Sequence, residues 1–292
     1  AAKGEVKVAV LDAAKPYLLA CLYRQLGLPA LVLTSKPERA RQLYDEIPAW
    51  CGSSDSIHLF PEPDALPYER ISSDPYTVKQ RLQVLSRLNE SGRPPLVIAS
   101  AHAAVRKIMP PAIFTASCHT LSNGMKLDLE QMLNRWISIG YKVDTKVELP
   151  GTVSRRGGII DIYPPHSDSP ARIELVGDTI ESIRLFDPVS QRSIEVVPQI
   201  TIIPAREMVI PTNELGDLLR RLDLSTRNTE ARSRIEREID RLALAEWPDG
   251  IDLYSSLVND SALPDYLPPQ TLVVIDQPDL IEAVAAELDT QS

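Results

Sequence analysis

Apolar positions recur along this chain in two rhythms, and the rhythm changes twice. From residue 5 to about residue 118, short unbroken apolar runs alternate with stretches of helical period. EVKVAVL (5–11), ALVLTS (30–35), SIHLFP (56–61) and LVIAS (96–100) read as strands buried on both faces. Residues 17–27 and 77–89 read as helices between them. Ser35, with Glu38 three positions on, makes a capping box that opens another helix. Its apolar positions Ala40, Leu43, Tyr44 and Ile47 keep helical spacing. This alternation predicts βα units on a parallel sheet. A helix at 127–139 carries the stripe Leu129, Met132, Leu133, Trp136 and Ile137 and stops at Gly140. The period is then two up to about residue 203. Helical spacing returns at 213–222 and 229–245. TLVVID (271–276) reads as one more buried strand, predicted to rejoin the first sheet, followed by a helix at 278–288. The fold class expected is α/β, with an inserted α+β domain that is mostly antiparallel β.

The densest β signal spans 151–192. GIIDIYP and RIELVGDTIESIRLFD are β-branched runs cut by turn residues, and Gly177-Asp178 predicts a two-residue hairpin turn. Side chains from 172 to 176 then alternate faces. Ile173 and Leu175 point into a core, while Arg172, Glu174 and Val176 point outward. Arg155 and Arg156 precede Gly157-Gly158, a pair that permits a sharp bend. Two arginines and an outward apolar residue on a rigid sheet suit a protein-binding patch better than an active site. The plain alternative is a solvated strand edge guarded by charges. Asp161, opposite in face to Ile160 and Ile162, is expected to anchor a turn. Glu174 and Glu181 would face each other across the hairpin, an unfavourable pairing. That predicts a longer loop or a basic partner.

Composition narrows the field. A chain of 292 residues has room for about two domains. No apolar run approaches the ~20 residues of a membrane span, so no membrane association is expected. The first residues lack the apolar core of a secretion signal. Cys21, Cys51 and Cys118 are widely spaced and odd in number, which points to a reducing compartment. The net charge of −9 argues against nucleic-acid binding by the overall field, though a local basic patch is compatible with it. Most of the 25 prolines fall between the periodic segments.

A phosphate-binding P-loop belongs between a first strand and a first helix, with the pattern G-x-x-x-x-G-K-[ST]. The matching window here is AVLDAAKP (9–16), which includes Asp12. Lys15 is kept, but Ala9 and Ala14 replace the glycines. Pro16 replaces the hydroxyl residue and removes a backbone donor. Either an eroded nucleotide site or a sheet that never had one fits, and both predict no ATP hydrolysis and no cofactor. His58, His102, His119 and His166 have no metal-ligand spacing and read as structural or surface residues. Glu62, Asp64 and Glu69 read as a solvated acidic loop.

Several long segments resemble the N-terminal, UvrB-like region of the bacterial transcription-repair coupling factors: QLYDEI (42–47), FPEPDALPYERISSDP (60–75), QRLQVLSRL (80–88), SRRGGIIDIYPP (154–165) and RIELVGDTIESIRLFDPVSQR (172–192). UvrB is similar over the same segments, but it keeps an intact P-loop and a long DNA-gripping hairpin. The connection at 60–76 is too short to be that hairpin. The resemblance implies three parts: 1–118 as a P-loop-like domain 1a, 119–204 as a UvrA-binding domain 2, and 205–292 as domain 1b completing the first domain. It marks Arg156, Arg172 and Val176 as UvrA contacts. Position 176 is aromatic in some members of the family, so Val176 departs from the pattern. Proteins of this family are bacterial and cytoplasmic, and they engage RNA polymerase and DNA through other domains. They drive an ATP-dependent translocase, and the rest of the protein can mask this region. That motor does not fit within 292 residues, so the chain is expected to be part of a larger protein.

Overall fold

The structure, a computed structural model, describes residues 4–63, 74–89, 92, 94–210, 212–221, 229–243 and 254–291. The chain divides into two compact units. One comprises Ala1–Glu62, Ser91–Ala104 and Leu267–Ser292, the other Pro63–Glu90 and Val105–Tyr266.

In the first unit, helix α1 (Lys15–Leu26) begins with Pro16 in its first turn, where a missing N–H costs nothing. It ends at Gly27, whose φ of 61° is the left-handed cap that glycine adopts freely. Strand β1 (Ala30–Thr34) follows, then α2 (Pro37–Glu46), β2 (Ile57–Phe60) and β3 (Leu96–Ser100). The capping box expected at Ser35 does not form. Pro37 sets the start of α2, Lys36 stands at the N-cap, and no side chain caps the helix. The sheet is parallel, with β1 and β2 flanking β3. Leu19, Tyr23, Val32, Leu43, Ile47 and Ile98 close a core between α1, α2 and the sheet.

The second unit contains α3 (Pro75–Asn89), β4 (His119–Ser122) and α4 (Leu129–Ser138). Then β5 (Lys142–Val143), β6 (Thr152–Arg156), β7 (Ile159–Ile162), β8 (Ala171–Val176), β9 (Thr179–Phe186) and β10 (Ser193–Val196) form a six-stranded sheet. Its strands lie in sequence order and all pair antiparallel except β5 with β6. A separate ribbon joins β4 to β11 (Gln199–Ile202). Leu129, Met132, Leu133 and Trp136 of the α4 stripe pack on this sheet's inner face. Trp136 is fully buried among Leu121, Tyr141, Val153, Ile160, Ile173 and Ile183. Each such side chain contributes about 1.5–3 kcal/mol by leaving water. Asp128 caps α4 by accepting from the Gln131 amide at 3.0 Å. Gly140, at φ 101°, turns the chain out of the helix. Helices α5 (Thr212–Arg220) and α6 (Thr229–Ala243) pack through Leu215, Leu219, Ile235 and Ile239.

The chain then returns to the first unit. Strand β12 (Leu272–Ile275) pairs in parallel with β1, as its apolar pattern predicted, and α7 (Pro278–Gln291) follows. This pairing explains one failed expectation. With β3 and β12 on its two edges, β1 has none left for residues 5–11. That segment forms no strand, and Val6, Val8 and Leu11 are exposed. Among the described residues, no helix is long and apolar enough to cross a membrane.

One partly buried pair sets a pH dependence. The Trp136 Nε1–H donates to His119 Nε2 at 2.9 Å, with the rings stacked, and His119 Nδ1 lies 3.4 Å from the Ser117 carbonyl. Only the neutral Nδ1–H tautomer satisfies both contacts. Burial, with help from the Arg135 charge, holds the His119 pKa below its ordinary value. The unfolded chain therefore binds this proton at higher pH than the folded one. The pair's contribution is complete above the ordinary histidine value and is lost as pH falls below it. Melting temperature followed across mildly acidic pH should fall more steeply for the wild type than for His119→Phe. Identical slopes would exclude this role.

Candidate functional site

The outer face of the six-stranded sheet carries the predicted patch. Alternation holds along β8: Ile173 is fully buried and Leu175 packs on the core, while Arg172, Glu174 and Val176 face the other way. The turn at Gly177-Asp178 has two residues, with Gly177 at φ 65° and Val176 opposite Thr179. The register next to it differs from a regular hairpin. Glu174 pairs with Ser182 and Leu175 with Ile180, so Glu181 is the extra residue of a β-bulge. The expected clash of Glu174 with Glu181 is thereby removed without lengthening the loop. Ser182 Oγ donates to Glu174 at 2.7 Å, and Arg184 pairs with it at 3.1 Å. The second turn, Gly157-Gly158, brings Arg156 opposite Ile159, which in turn lies opposite Glu174. A Cβ on Gly158 would sit 3.0 Å from the Leu175 carbonyl oxygen, so glycine permits the close approach of this turn to β8.

Asp161 organises the face, in a role different from the turn anchor expected for it. It is 2% exposed and stands in register between Ser154 and Arg172. Arg172 donates to it through two bonds, Nε to Oδ1 at 2.7 Å and a terminal nitrogen to Oδ2 at 2.8 Å. Arg156 reaches the same carboxylate at 3.5 Å. The hydrogen-bonded Asp161 carboxylate holds the Arg172 pKa above the ordinary arginine value. The Arg172 guanidinium also lies 4.8 Å above the Phe186 ring. Phe186, Val147 and Tyr163 form a small second cluster. The two arginines therefore differ in kind. The Arg172 side chain is 22% exposed and locked in place, whereas that of Arg156 is 60% exposed and held by one long contact. Val176 is 63% exposed near the hairpin tip. Ile159 is also exposed, although the sequence reading passed over it. The two-residue spacing across Gly157-Gly158 was the signal that would have placed it beside Arg156.

The degenerate P-loop window lies in the first unit. Ala9 is exposed outside the sheet, and Asp12 and Ala14 form a single 3₁₀ turn before α1. Lys15 Nζ contacts Asp12 and Asp276, each at 2.6 Å, and Arg39 Nε donates to Asp276 at 2.9 Å. Burial pulls the Lys15 pKa down, but hydrogen bonds to the two carboxylates outweigh it and leave the pKa raised. Of the acidic loop, Glu62 accepts from Ser100 Oγ at 2.6 Å. Asp64 and Glu69, and most of the 60–76 connection, lie outside the described residues. Among the described residues no group of three or more His, Cys, Asp or Glu is placed to hold a metal.

Residues 120–208, which include this face, match the family described as the UvrB interaction domain. The transcription-repair-coupling factor of Myxococcus xanthus is 34% identical over 203 residues, 68% of this chain and 17% of that protein. That of Bacillus subtilis is 28% identical over 303 residues, 99% of this chain and 26% of that protein. The UvrABC system protein B of Thermosipho africanus is 26% identical over 299 residues, 92% of this chain and 45% of that protein. The fold and these matches define a UvrB-homology repair protein, a parallel α/β sheet unit combined with a UvrB interaction domain. Within that class, the chain belongs to the UvrB-homology region of the transcription-repair-coupling factors. It spans less than half the length of each of these relatives.

Proposed function

We propose that this chain is a non-catalytic recruitment module that binds UvrA through the outer face of β6, β7 and β8, bringing excision repair to a stalled RNA polymerase. The supporting observation is the pairing of exposed Arg156, Ile159 and Val176 with a buried Asp161–Arg172 anchor on one rigid sheet face. Apolar contact supplies area, arginine supplies directional donors, and the anchor keeps both in place before binding. On this reading residues 119–204 are the binding domain, and 1–118 with 205–292 are the two parts of a P-loop-like domain that has lost its site. Contacts with RNA polymerase and DNA, the translocase motor, and masking of the face belong to other parts of a larger bacterial cytoplasmic protein.

Titration calorimetry with purified UvrA tests the face. Val176→Glu alters an exposed side chain and should leave the melting temperature unchanged, and Arg156→Gln gives up only the long 3.5 Å contact to Asp161 and should lower it little. Loss of a desolvated contact at an interface centre costs about 2–5 kcal/mol, or about 30-fold in affinity and upward. Wild-type affinity in both variants would sink the assignment. Arg172→Glu is the poorer probe, because it also breaks the buried anchor.

The UvrB relative keeps a second reading open, in which Lys15 serves a nucleotide-dependent DNA handler. Ligand binding stabilises a fold by RT ln(1 + [L]/Kd), so excess ATP with Mg²⁺ would then raise the melting temperature. We expect no change. Lys15 is already engaged by two carboxylates, and Pro16 withholds a backbone donor. A clear rise would favour the UvrB-like reading.

A further inference from the structure

The cross-strand row that holds the anchor continues past β8. Asp161 stands opposite Arg172, Arg172 opposite Arg184 of β9, and Arg184 opposite Val196 of β10. Directly paired residues of antiparallel strands share a face, so Arg184 and Val196 lie on the outer face with Arg172. Val196 and the rest of β10 are exposed. Two arginines thus stand directly opposite each other, an unfavourable pairing unless each has a carboxylate. Asp161 serves Arg172 with both oxygens. Glu174 serves Arg184 less fully. It meets one terminal nitrogen at 3.1 Å while also accepting from Ser182 Oγ at 2.7 Å. Arg184 Nε is buried and has no hydrogen-bond partner among the described residues. A guanidinium holds a carboxylate best through two parallel bonds, and here one of the two donors is idle. The side chains are 41% exposed for Arg184 and 29% for Glu174, so this pair can open without disturbing the core.

We propose that Glu174 is an internal stand-in for a carboxylate of UvrA, and that Arg184 turns from Glu174 to that carboxylate on docking. This inference rests on the recruitment reading above. The exchange gives up one contact in a partly hydrated pair. It returns a two-bond fork in a place from which the partner excludes water, where such a contact is stronger. Glu174 keeps its bond from Ser182 throughout. Arg156 on β6 and Arg184 on β9 stand three strand spacings apart, about 14 Å. UvrA should therefore present acidic groups at two points, on either side of the apolar contact with Ile159 and Val176. Val196 lies just beyond Arg184 and shields the second point with an apolar side chain. A neutral or basic surface seated on the same face would desolvate Arg184 without pairing it, so the residue also selects the partner.

Calorimetric titration of the full chain with purified UvrA tests the exchange. Arg184→Gln should weaken binding about tenfold, the scale of one hydrogen bond to a charged group, and should flatten its dependence on salt. Glu174→Gln keeps the shape of the side chain but removes the competing charge, so it should bind UvrA severalfold more tightly than the wild type. A pair that only supports the sheet would never give tighter binding when broken. Unchanged or weaker binding by Glu174→Gln would overturn the exchange, as would wild-type binding by Arg184→Gln. Val176→Glu separates this inference from the reading beneath it. If Val176→Glu loses binding while Arg184→Gln and Glu174→Gln match the wild type, the exchange falls and the docking face stands. If Val176→Glu also binds as the wild type does, the docking face falls with it.

Discussion

Replacing Asp161 with alanine is expected to destabilise the six-stranded domain by about 3–5 kcal/mol, the cost of breaking a buried ion pair from one side. The partially exposed Arg172 places the effect near the lower figure, because its guanidinium retains some access to water. The loss is still large against the roughly 5–15 kcal/mol that holds a typical domain together. Asp161 accepts both bonds of the Arg172 fork from the neighbouring strand, so its removal leaves a guanidinium held under the sheet face with no carboxylate. Arg172→Met should cost a similar amount by stranding the carboxylate instead. Asp161→Leu combined with Arg172→Met should recover most of the loss, since apolar replacement of a whole buried pair is often neutral. Urea unfolding of the three proteins measures this directly. Single variants within 1 kcal/mol of the wild type, the scale of an exposed pair, would show that the pair is a surface contact in disguise. The result also bears on recruitment, because Arg156 leans on the same carboxylate at 3.5 Å.

The second large effect is expected at Glu207. It pairs with Arg81 of α3, whose side chain is 1% exposed, through both Nε and a terminal nitrogen, the latter at 3.1 Å. These residues are 126 positions apart, so the pair ties α3 to the segment that follows β11. The Glu207 backbone is fixed independently, with its carbonyl accepting from the Met109 amide at 3.1 Å and the Asn259 side chain at 3.0 Å. Glu207→Gln therefore removes the charge while leaving the chain path intact. A buried guanidinium without its carboxylate should cost about 3–5 kcal/mol. Hydrogen exchange should show the amides of α3 losing protection first, since the helix loses an anchor that the six-stranded sheet does not use. Unchanged α3 protection in Glu207→Gln would mean that apolar packing alone holds the helix.

Much of this architecture was legible in local pattern. Unbroken apolar runs marked β1, β2, β3 and β12 as strands of a parallel sheet, but β12, read as buried, lies at the sheet edge with Val273 and Ile275 exposed. Period two marked the outward row Arg172, Glu174, Val176, and Gly177-Asp178 marked the hairpin tip. Glycine also marked Gly140 as a helix end, because positive φ strains any residue with a Cβ. These features depend on neighbours a few positions away, and such neighbours are written side by side in the chain. What only the tertiary structure decided involves partners that sequence distance hides. The apolar run at 5–11 looked like a strand beside β1, yet β12, arriving more than 200 residues after β1, takes that place. A one-residue bulge at Glu181 resolved a charge clash that regular register would have imposed. Asp161 became an ion-pair anchor rather than a turn residue because β8 happens to place Arg172 opposite it. Lys15 met Asp276 across 261 residues. Periodicity determines which way a side chain points, but electrostatic partners are chosen by strand register and chain return, and these form only when the whole core closes.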